Sequence, residues 1–351
     1  MPPPEPRIGK IDLETFSATV LSRLGAPNGS VIVPPFTGVD AGVVDLGDGK
    51  VLIVAEDPIL AIPGQPLEIF GWYTVHIGAS DVAVMGVKPR YMTYTLLLPP
   101  KTSDADLETI IDAIHEAALE LGIAIVGGHT GRYPGLAAPL IGGVTVFAVA
   151  DKDGYVTPRG ARPGDDVILT KGPAIEAAGI LATVREEDLL KIHPPELVER
   201  AKALTREMTV VKDALVAVEA GGVTSMHDAT EGGVIGGLFE VANASGVGMV
   251  VDEATFIYPE EVKMVCEFFG IDPVAAIAEG SLIITAKPGS SEEIIGRLHS
   301  AGIRASVVGT VTADQEERVI KRSDGRTVPL EIPEQDPFWP VFFESVTDPS
   351  G

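Results

Sequence analysis

The chain has 351 residues, and its 50 aspartates and glutamates outnumber its 26 lysines and arginines, which gives a formal net charge of −24. This length predicts two domains, each large enough to bury a core of its own. The acidity argues against nucleic acid and anionic membranes as partners. It also requires that any polyphosphate substrate arrive with its charge covered by divalent cations.

The beginning of the chain, MPPPEPRIGK, has no apolar segment after its charged residues. It therefore does not predict a secretory signal, and we expect a cytoplasmic protein. The longest stretch free of charge, residues 133–150, is interrupted by Pro134 and Pro139. We interpret it as a loop that leads into one buried strand and not as a membrane span.

Short apolar runs alternate with helical patterns along the whole chain, which is typical of mixed α/β layers. Several of these runs are apolar at every position, so we expect sheets that are covered on both faces. The predicted strands are residues 51–55, 91–98, 123–127, 145–149, 166–170, 249–251, 281–286 and 305–311.

Two segments predict amphipathic helices. In residues 103–122, Ser103 or Asp104 can cap the helix, apolar residues recur at helical spacing, and Gly122 ends it. In residues 205–222, Met208 begins a similar apolar stripe that runs to Val218. We expect both stripes to form core and not a binding site.

The segment KDGYVTPRGARPGDD is rich in proline, glycine and charge and has no periodicity, so we place the domain boundary near residue 155. The domains are then 1–155 and 156–351. In the second, the single cysteine, Cys266, lies in a helical pattern without a partner cysteine, which favours a buried inert thiol over a reactive one. The aromatic tail DPFWPVFF should pack back on a domain.

Several common catalytic patterns are absent from the sequence. There is no GxxxxGK[ST] and no GxGxxG, so neither of the usual phosphate-binding loops is present. There is also no GxSxG and no HExxH, which leaves serine hydrolase and zinc protease chemistry without support.

Three aspartates follow or interrupt glycine-containing segments in the first half. Asp40 lies in TGVDAGVVDL, Asp57 ends the run KVLIVAED, and Asp81 lies in VHIGASDVAVMG. Each alone is explained by a cap or a turn. Together, at the expected ends of strands and in turns, they offer hard oxygen ligands of the kind that Mg²⁺ prefers.

Two glycine pairs are candidates for phosphate contacts. In VGGHTGRYPG, the amides of Gly127 and Gly128 and the Thr130 hydroxyl form a possible phosphate cradle, although an ordinary tight turn explains them too. In MHDATEGGVIGG, Asp228 and Thr230 precede a glycine pair that opens a helix. That position favours an anion, unless Asp228 or Thr230 simply caps the helix.

Taken in order, GVDAGV, EDPI, SDVAVMGVKP, GGHT and MHDATEGGV resemble the successive signatures of the AIR synthase (PurM) superfamily, and most closely its HypE-like members. The resemblance spans roughly residues 30 to 310. It implies an N-terminal α/β domain that pairs with a second copy into a dimeric β-barrel, and a C-terminal α/β domain beside it. It also implies ATP and Mg²⁺ as cofactors, with ATP in the cleft between the domains.

The resemblance assigns roles to individual positions. It implies that Asp40, Asp57, Asp81 and His129 hold Mg²⁺, with Asp57, Asp81 and Lys10 counted as catalytic. A second group is implied to contact the nucleotide: Asp40, Gly127, Gly128, Thr130, Lys171, Asp228, Gly232 and Gly233. Lys10 would close over the phosphates with a mobile N-terminal segment, whereas the alternative is a solvated lysine.

The activity that the resemblance implies is transfer of the γ-phosphoryl group of ATP to a small acceptor, often an amide oxygen, by positioning and charge neutralisation. Hydrogenase-maturation proteins are the implied partners. Two departures qualify this. The chain ends in FFESVTDPSG without the tail cysteine on which HypE acts, and His129 stands where many relatives have a carboxylate. The alternatives are a kinase like thiamine-monophosphate kinase and a non-catalytic nucleotide-binding scaffold.

Overall fold

The computed structural model describes residues 8–136 and 140–347, with side chains described up to residue 344. The first seven residues of the chain, part of the predicted loop before residue 141, and the last four residues lie outside this range. The described chain forms two β-sheets, each covered by helices, and it is a mixed α/β protein as predicted.

The first half contains six strands and two long helices. Its elements are α1 (Leu13–Thr15), a π-helical turn (Phe16–Leu21), β1 (Val31–Val33), β2 (Gly42–Gly47), β3 (Lys50–Leu60), α2 (Leu67–Ala83), β4 (Tyr91–Leu98), α3 (Asp104–Leu121), β5 (Ala124–Arg132) and β6 (Ile141–Asp151).

These strands form one sheet in the order β1-β2-β3-β6-β4-β5. Every neighbouring pair is antiparallel except β4 and β5, which are parallel and are joined by the helix α3. Helices α2 and α3 pack on each other, and α2 packs on β3 and β6. Because side chains alternate along a strand, Val51, Ile53 and Ala55 of β3 face these helices, whereas Leu52 and Val54 face the other side.

The second half contains seven strands. Its elements are β7 (Asp166–Thr170), α4 (Ile175–Val184), α5 (Glu186–Leu189), α6 (Pro195–Ala203), α7 (Val211–Ala220), β8 (Val223–Ala229), α8 (Gly233–Ser245), β9 (Gly248–Asp252), α9 (Glu260–Phe269), β10 (Ser281–Ala286), α10 (Ser291–Ser300), β11 (Ala305–Thr312), β12 (Arg318–Lys321), β13 (Thr327–Pro329) and α11 (Phe338–Thr347). Short 3-10 turns occur at Pro158–Gly160, Leu204–Glu207 and Glu253–Thr255.

The second sheet has the order β13-β12-β9-β11-β7-β10-β8, so that β8 lies at one edge. Its pairs are antiparallel apart from β9 with β12. The core is continuous across the chain, because Val210 and Ala214 beside and within α7 belong to the same buried cluster as Phe70 and Ile110 of the first half. The two halves are therefore held together by apolar packing.

All eight predicted strands are present, and the first predicted helix is α3. The second predicted helix begins six residues later than expected, at Val211, because residues 204–207 form a 3-10 turn. Cys266 is buried in α9, and burial raises the pKa of its thiol to about 12, which agrees with an inert thiol. Phe338 and Phe342 of the aromatic tail are buried against α4 and α9, as predicted.

Within the described ranges, no helix combines the length and the apolar character that crossing a membrane requires.

Candidate functional site

The three aspartates of the first half come from three different elements. Asp40 lies in the loop before β2, Asp57 lies inside β3 opposite Val144, and Asp81 lies in the last turn of α2. We expected all three in turns or at strand ends. The expectation was wrong for Asp57 and Asp81, because β3 continues past the apolar run to Leu60 and the small residues before Asp81 form a buried helix face.

These aspartates nevertheless meet, together with Asp228 at the end of β8. Burial and the neighbouring charge of Asp57 raise the pKa of Asp81 well above its usual range. Burial also raises the pKa of Asp57, although a hydrogen bond with Asp81 partly offsets this rise. For Asp228, burial and the charge of Asp40 raise the pKa to about 7. Four carboxyl groups therefore lie close together in a buried place, and a negative charge on one of them opposes the ionisation of its neighbours.

His227 links the two halves at this cluster. Its Nδ1 lies 2.7 Å from Asp40 Oδ1, and its Nε2 lies 2.9 Å from Glu240 Oε2 of α8. Burial alone lowers the pKa of His227, but the charges and hydrogen bonds of Asp40 and Glu240 outweigh it and hold the pKa well above its usual range. The imidazole is therefore positively charged and is held between two carboxylates.

The carboxylates fit a divalent cation. One oxygen each of Asp40 and Asp57 is buried without a hydrogen-bond partner. Ligand atoms of Asp40, His227 and Asp228 lie within 4.8 Å of one another. Because both nitrogens of His227 face carboxylates, we expect oxygen atoms and not the imidazole to be the metal ligands, which matches the preference of Mg²⁺.

A second pair of acids adjoins the first cluster. Glu279 is buried, its backbone N–H donates a 3.0 Å hydrogen bond to Glu176 Oε2, and its own Oε1 has no partner. Burial and the charge of Asp228 raise the pKa of Glu279 well above its usual range, and burial raises the pKa of Glu176 to about 7. These two side chains can hold protons near neutral pH.

Lys10 brings a cation to the cluster from the N-terminal segment. Its Nζ donates a 2.7 Å hydrogen bond to Thr230 Oγ1, and its backbone N–H donates one of 2.8 Å to Glu231. Burial of the ammonium lowers the pKa of Lys10, but the charges of Glu240 and Asp228 outweigh this and raise it above its ordinary value. Lys10 is therefore not a freely solvated side chain, and its catalytic role stays a prediction.

The GGHT segment lies apart from the acidic cluster. Gly127, Gly128, His129 and Thr130 are exposed and lie inside the edge strand β5, not in a turn. Strands β6 and β4 separate β5 from β3, a distance of roughly 14 Å at the usual strand spacing. The His129 imidazole contacts the Tyr133 hydroxyl. Within one chain, these residues do not join the acidic cluster, so their nucleotide and metal roles stay predictions.

The Lys171 side chain already has partners within the protein. Its buried ammonium lies 2.8 Å from Asp213 Oδ1 and donates to the carbonyl oxygens of Thr209 at 2.6 Å and Gly280 at 2.9 Å. Two hydrogen bonds and one ion pair therefore hold this ammonium in place. A direct contact with nucleotide, which stays a prediction for Lys171, requires that one of these bonds be exchanged.

The backbone N–H groups of the glycine pair that opens α8 also have hydrogen-bond acceptors within the protein. The Gly232 N–H donates a 2.9 Å hydrogen bond to Asp336 Oδ2, and the Gly233 N–H donates to the Thr230 carbonyl. Neither Asp228 nor Thr230 caps the helix through its side chain, because Gly232 is the N-cap residue. A carboxylate of the protein, Asp336, therefore takes the position at which an external anion was predicted, and phosphate binding there stays a prediction.

Sequence reasoning missed four acidic or basic residues of this site: His227, Glu231, Glu240 and Glu279. His227 directly precedes Asp228 in the segment MHDATEGGV, and this adjacency could have identified it as a candidate site residue. Glu240 and Glu279 carry no such signal, because each is a single acid in an otherwise apolar or small-residue segment. Only the packing of α8 and of the residues before β10 brings them to the cluster.

The chain is an α/β protein in which both halves contribute carboxylates to one buried cluster. Residues 38–150 match the model of the AIR synthase related protein, N-terminal domain, and residues 162–322 match that of the AIR synthase related protein, C-terminal domain. The chain belongs to the AIR synthase related family, in its HypE-like branch.

Individual relatives point to the same branch. Carbamoyl dehydratase HypE of Cupriavidus necator is 28% identical over 296 residues, which cover 82% of this chain and 80% of that protein. A solved structure of hydrogenase maturation protein HypE in complex with ATP superposes with a TM-score of 0.69 at 22% identity, over 95% of this chain and 98% of that one. A HypE–HypF complex gives 0.71 at 21% identity, over 91% and 99%. At these identities the structures establish the fold.

Proposed function

We propose that this protein binds ATP with Mg²⁺ in the acidic cleft and transfers the γ-phosphoryl group to an amide-type oxygen, as a HypE-like enzyme. One observation supports this above the others, namely the convergence of Asp40, Asp57, Asp81 and Asp228, in which Asp40 and Asp57 each keep one buried oxygen without a hydrogen-bond partner. The similarity to carbamoyl dehydratases and the fold shared with an ATP-bound HypE agree with it. Mg²⁺ would supply the positive charge that lets a triphosphate approach these carboxylates.

Acidic and basic residues have different roles in this proposal. Asp40, Asp57, Asp81 and Asp228 would hold the cation, while the His227 imidazolium keeps Asp40 and Glu240 in place across the two halves. The Lys10 ammonium, which donates to Thr230, would move onto a phosphate oxygen when the N-terminal segment adjusts. Catalysis would then rest on positioning and charge neutralisation, without a side-chain nucleophile.

Glu176 and Glu279 would serve proton transfer. An amide nitrogen must lose protons when its oxygen becomes a phosphorylated leaving group. Glu279 has a buried, unpartnered oxygen and a raised pKa, and Glu176 holds its backbone amide in place. We therefore assign proton acceptance to Glu279 in its ionised form and positioning of Glu279 to Glu176.

The experiment is calorimetric titration of ATP in the presence and absence of Mg²⁺. We expect saturable binding with Mg²⁺ and at least tenfold weaker binding in EDTA, because the cleft repels an uncovered triphosphate. Asp57→Asn and Asp228→Asn should each abolish ADP formation and weaken Mg-ATP binding. Asp151→Asn removes an exposed acid of the same first-half sheet and should change neither.

Assays with different phosphoryl acceptors distinguish the proposed function from its alternatives. ADP formation that depends on a carboxamide, or on a peptide ending in S-carbamoyl cysteine, supports the proposal. Phosphorylation of thiamine monophosphate in its place indicates the kinase. Mg-ATP binding without turnover on any acceptor indicates the scaffold, and absence of Mg-ATP binding contradicts every nucleotide-dependent function.

We also infer a homodimer. The face of the first sheet that the helices leave uncovered, together with its edge strand β5, presents large apolar side chains to solvent: Leu60, Tyr91, Ile125, Val126, Ile141 and Val149. An open edge strand and an apolar face of this size are unstable in water unless a second chain covers them. A hydrogenase-maturation protein is the further partner that we propose, since a HypE fold occurs in complex with HypF.

A further inference from the structure

An acidic groove lies on the surface of the molecule, away from the cleft. It runs between α2 and α3 and is closed at one end by the 3-10 turn that carries Arg206. Its volume is about 850 Å³, and its charged and aromatic lining consists of Glu68, Trp72, Asp112, Glu116, Glu120 and Arg206. Both halves of the chain contribute to the groove, because Arg206 belongs to the second half.

Three of the acids form a straight line. Asp112, Glu116 and Glu120 are spaced four residues apart on α3, so their carboxylates follow one another at intervals of about 6 Å. All three are exposed. Among the described residues, no lysine or arginine forms an ion pair with them or with Glu68. Four carboxylates thus face the groove without a cation of their own.

Arg206 does not neutralise these acids. Its guanidinium carbon lies 5.1 Å from the centre of the Trp72 ring, so its charge is held on the aromatic face. With four carboxylates and one guanidinium, the lining keeps a net negative charge. The indole ring in turn stacks on His76 at a centroid distance of 4.0 Å.

His76 is buried beneath the groove, where its ring lies behind Trp72 and beside Glu120. The side chain is 3% exposed, and its Nδ1 lies 3.0 Å from Thr209 Oγ1. Its Nε2 has no hydrogen-bond partner and lies 3.9 Å from Glu120 Oε2, a lining residue of the groove. Burial lowers the pKa of His76 to about 3, so the ring is neutral. The ring beneath the groove therefore adds no positive charge that would offset the carboxylates.

We propose that this groove binds a basic segment of a partner protein, whose lysine or arginine side chains pair with Asp112, Glu116 and Glu120. The spacing of the acids fits basic residues on one face of a helix or at alternate positions of a strand. Leu119, which is 60% exposed in the same groove, and Trp72 offer apolar surface to the stems of these side chains. A free polyamine would leave that surface uncovered.

The test uses Trp72 as the probe. The chain has two tryptophans, so Trp339→Phe leaves Trp72 as the only one. In this background, a twelve-residue peptide with lysine at every fourth position and leucine or alanine elsewhere is titrated while Trp72 fluorescence is followed. We expect saturable quenching in the micromolar range, weakened by salt. The same peptide with glutamate in place of lysine should give no response.

Variants locate the binding site. Asp112→Asn combined with Glu116→Gln should weaken binding at least tenfold, because two of the three carboxylates in line on α3 lose their charge. The control pair Glu108→Gln and Glu196→Gln removes two exposed charges outside the groove and should leave affinity unchanged. Circular dichroism checks that each variant is folded.

Three outcomes overturn the proposal. They are the absence of saturable quenching, equal weakening by the control pair, and spermine binding as tightly as the peptide, which would indicate a free polyamine as the ligand. Mg-ATP binding at the cleft is measured in the same variants and should stay unchanged. Its loss would show that the substitutions had disturbed the fold and not a docking surface.

Discussion

At the scale of single residues, the site is defined by like charges that are brought together. Asp57, Asp81 and Asp228 have raised pKa values because burial and mutual repulsion oppose their ionisation. His227 and Lys10 supply positive charge on either side of them. Such an arrangement costs stability in the absence of a ligand, and it gains binding energy when a divalent cation enters.

Glu176 gives a prediction for the pH dependence of stability. Its pKa in the folded protein is about 7, above the ordinary 4.5, so the folded state keeps a proton that the unfolded state releases. The free energy of unfolding therefore falls as the pH rises from about 4.5 to 7, and Glu176→Gln should remove this loss, roughly 1 to 3 kcal/mol. Urea unfolding in EDTA at pH 4.5 and pH 8 measures the difference.

Glutamine keeps the oxygen that accepts the Glu279 N–H, so the variant tests charge and not geometry. Glu196→Gln, an exposed glutamate on α6, is the matched control and should show the same pH dependence as the native chain. An advantage of Glu176→Gln that is equal at both pH values would contradict the raised pKa.

At the scale of secondary structure, α3 is specified locally. The Ser103 hydroxyl accepts from the Asp106 N–H and the Asp106 carboxylate accepts from the Ser103 N–H, each at 3.0 Å, and Gly122 ends the helix in the left-handed conformation. These features are readable in the sequence, and the helix begins and ends where they predict.

Ser103→Ala should therefore lower the free energy of unfolding by about 1 kcal/mol. Ser290→Ala is the matched control, because Ser290 stands at the N-cap of α10 without a side-chain hydrogen bond and should cost less than about 0.5 kcal/mol. Both values come from denaturant midpoints under the same conditions. Equal losses in the two variants would show that the capping box is not what stabilises α3.

Strand β5 shows the limit of local reasoning. A glycine pair followed by His129 and Thr130 is typical of a turn, yet it continues an edge strand, because the backbone pairs with β4 through to Arg132. At Gly128, φ is +148° and an added Cβ would lie 2.3 Å from the Tyr94 carbonyl oxygen, so the position requires glycine for close packing.

At the scale of the whole molecule, the uncovered face of the first sheet predicts association. Val126 in β5 is 55% exposed, and replacing it with aspartate places a charge in the proposed dimer interface. Val126→Asp should weaken the dimer at least a hundredfold, as measured by sedimentation velocity. Ile192→Asp, at a side chain that is 68% exposed in the second half, should leave the dimer intact. A native chain that is monomeric at micromolar concentration would refute the inference.

The sequence by itself determined the α/β class, the eight strands, the capped helix α3 and the family. Periodicity, caps and ordered motifs are local properties of the sequence, so they can be recognised without knowledge of the fold. Which charged residues share a site was decided by the tertiary structure. Asp40, Asp57, Asp81, His227 and Glu279 lie far apart along the chain and meet only because a strand, a helix and an edge strand of the second sheet pack together. The same packing leaves His129 on an outer strand, since β6 and β4 lie between it and the cluster.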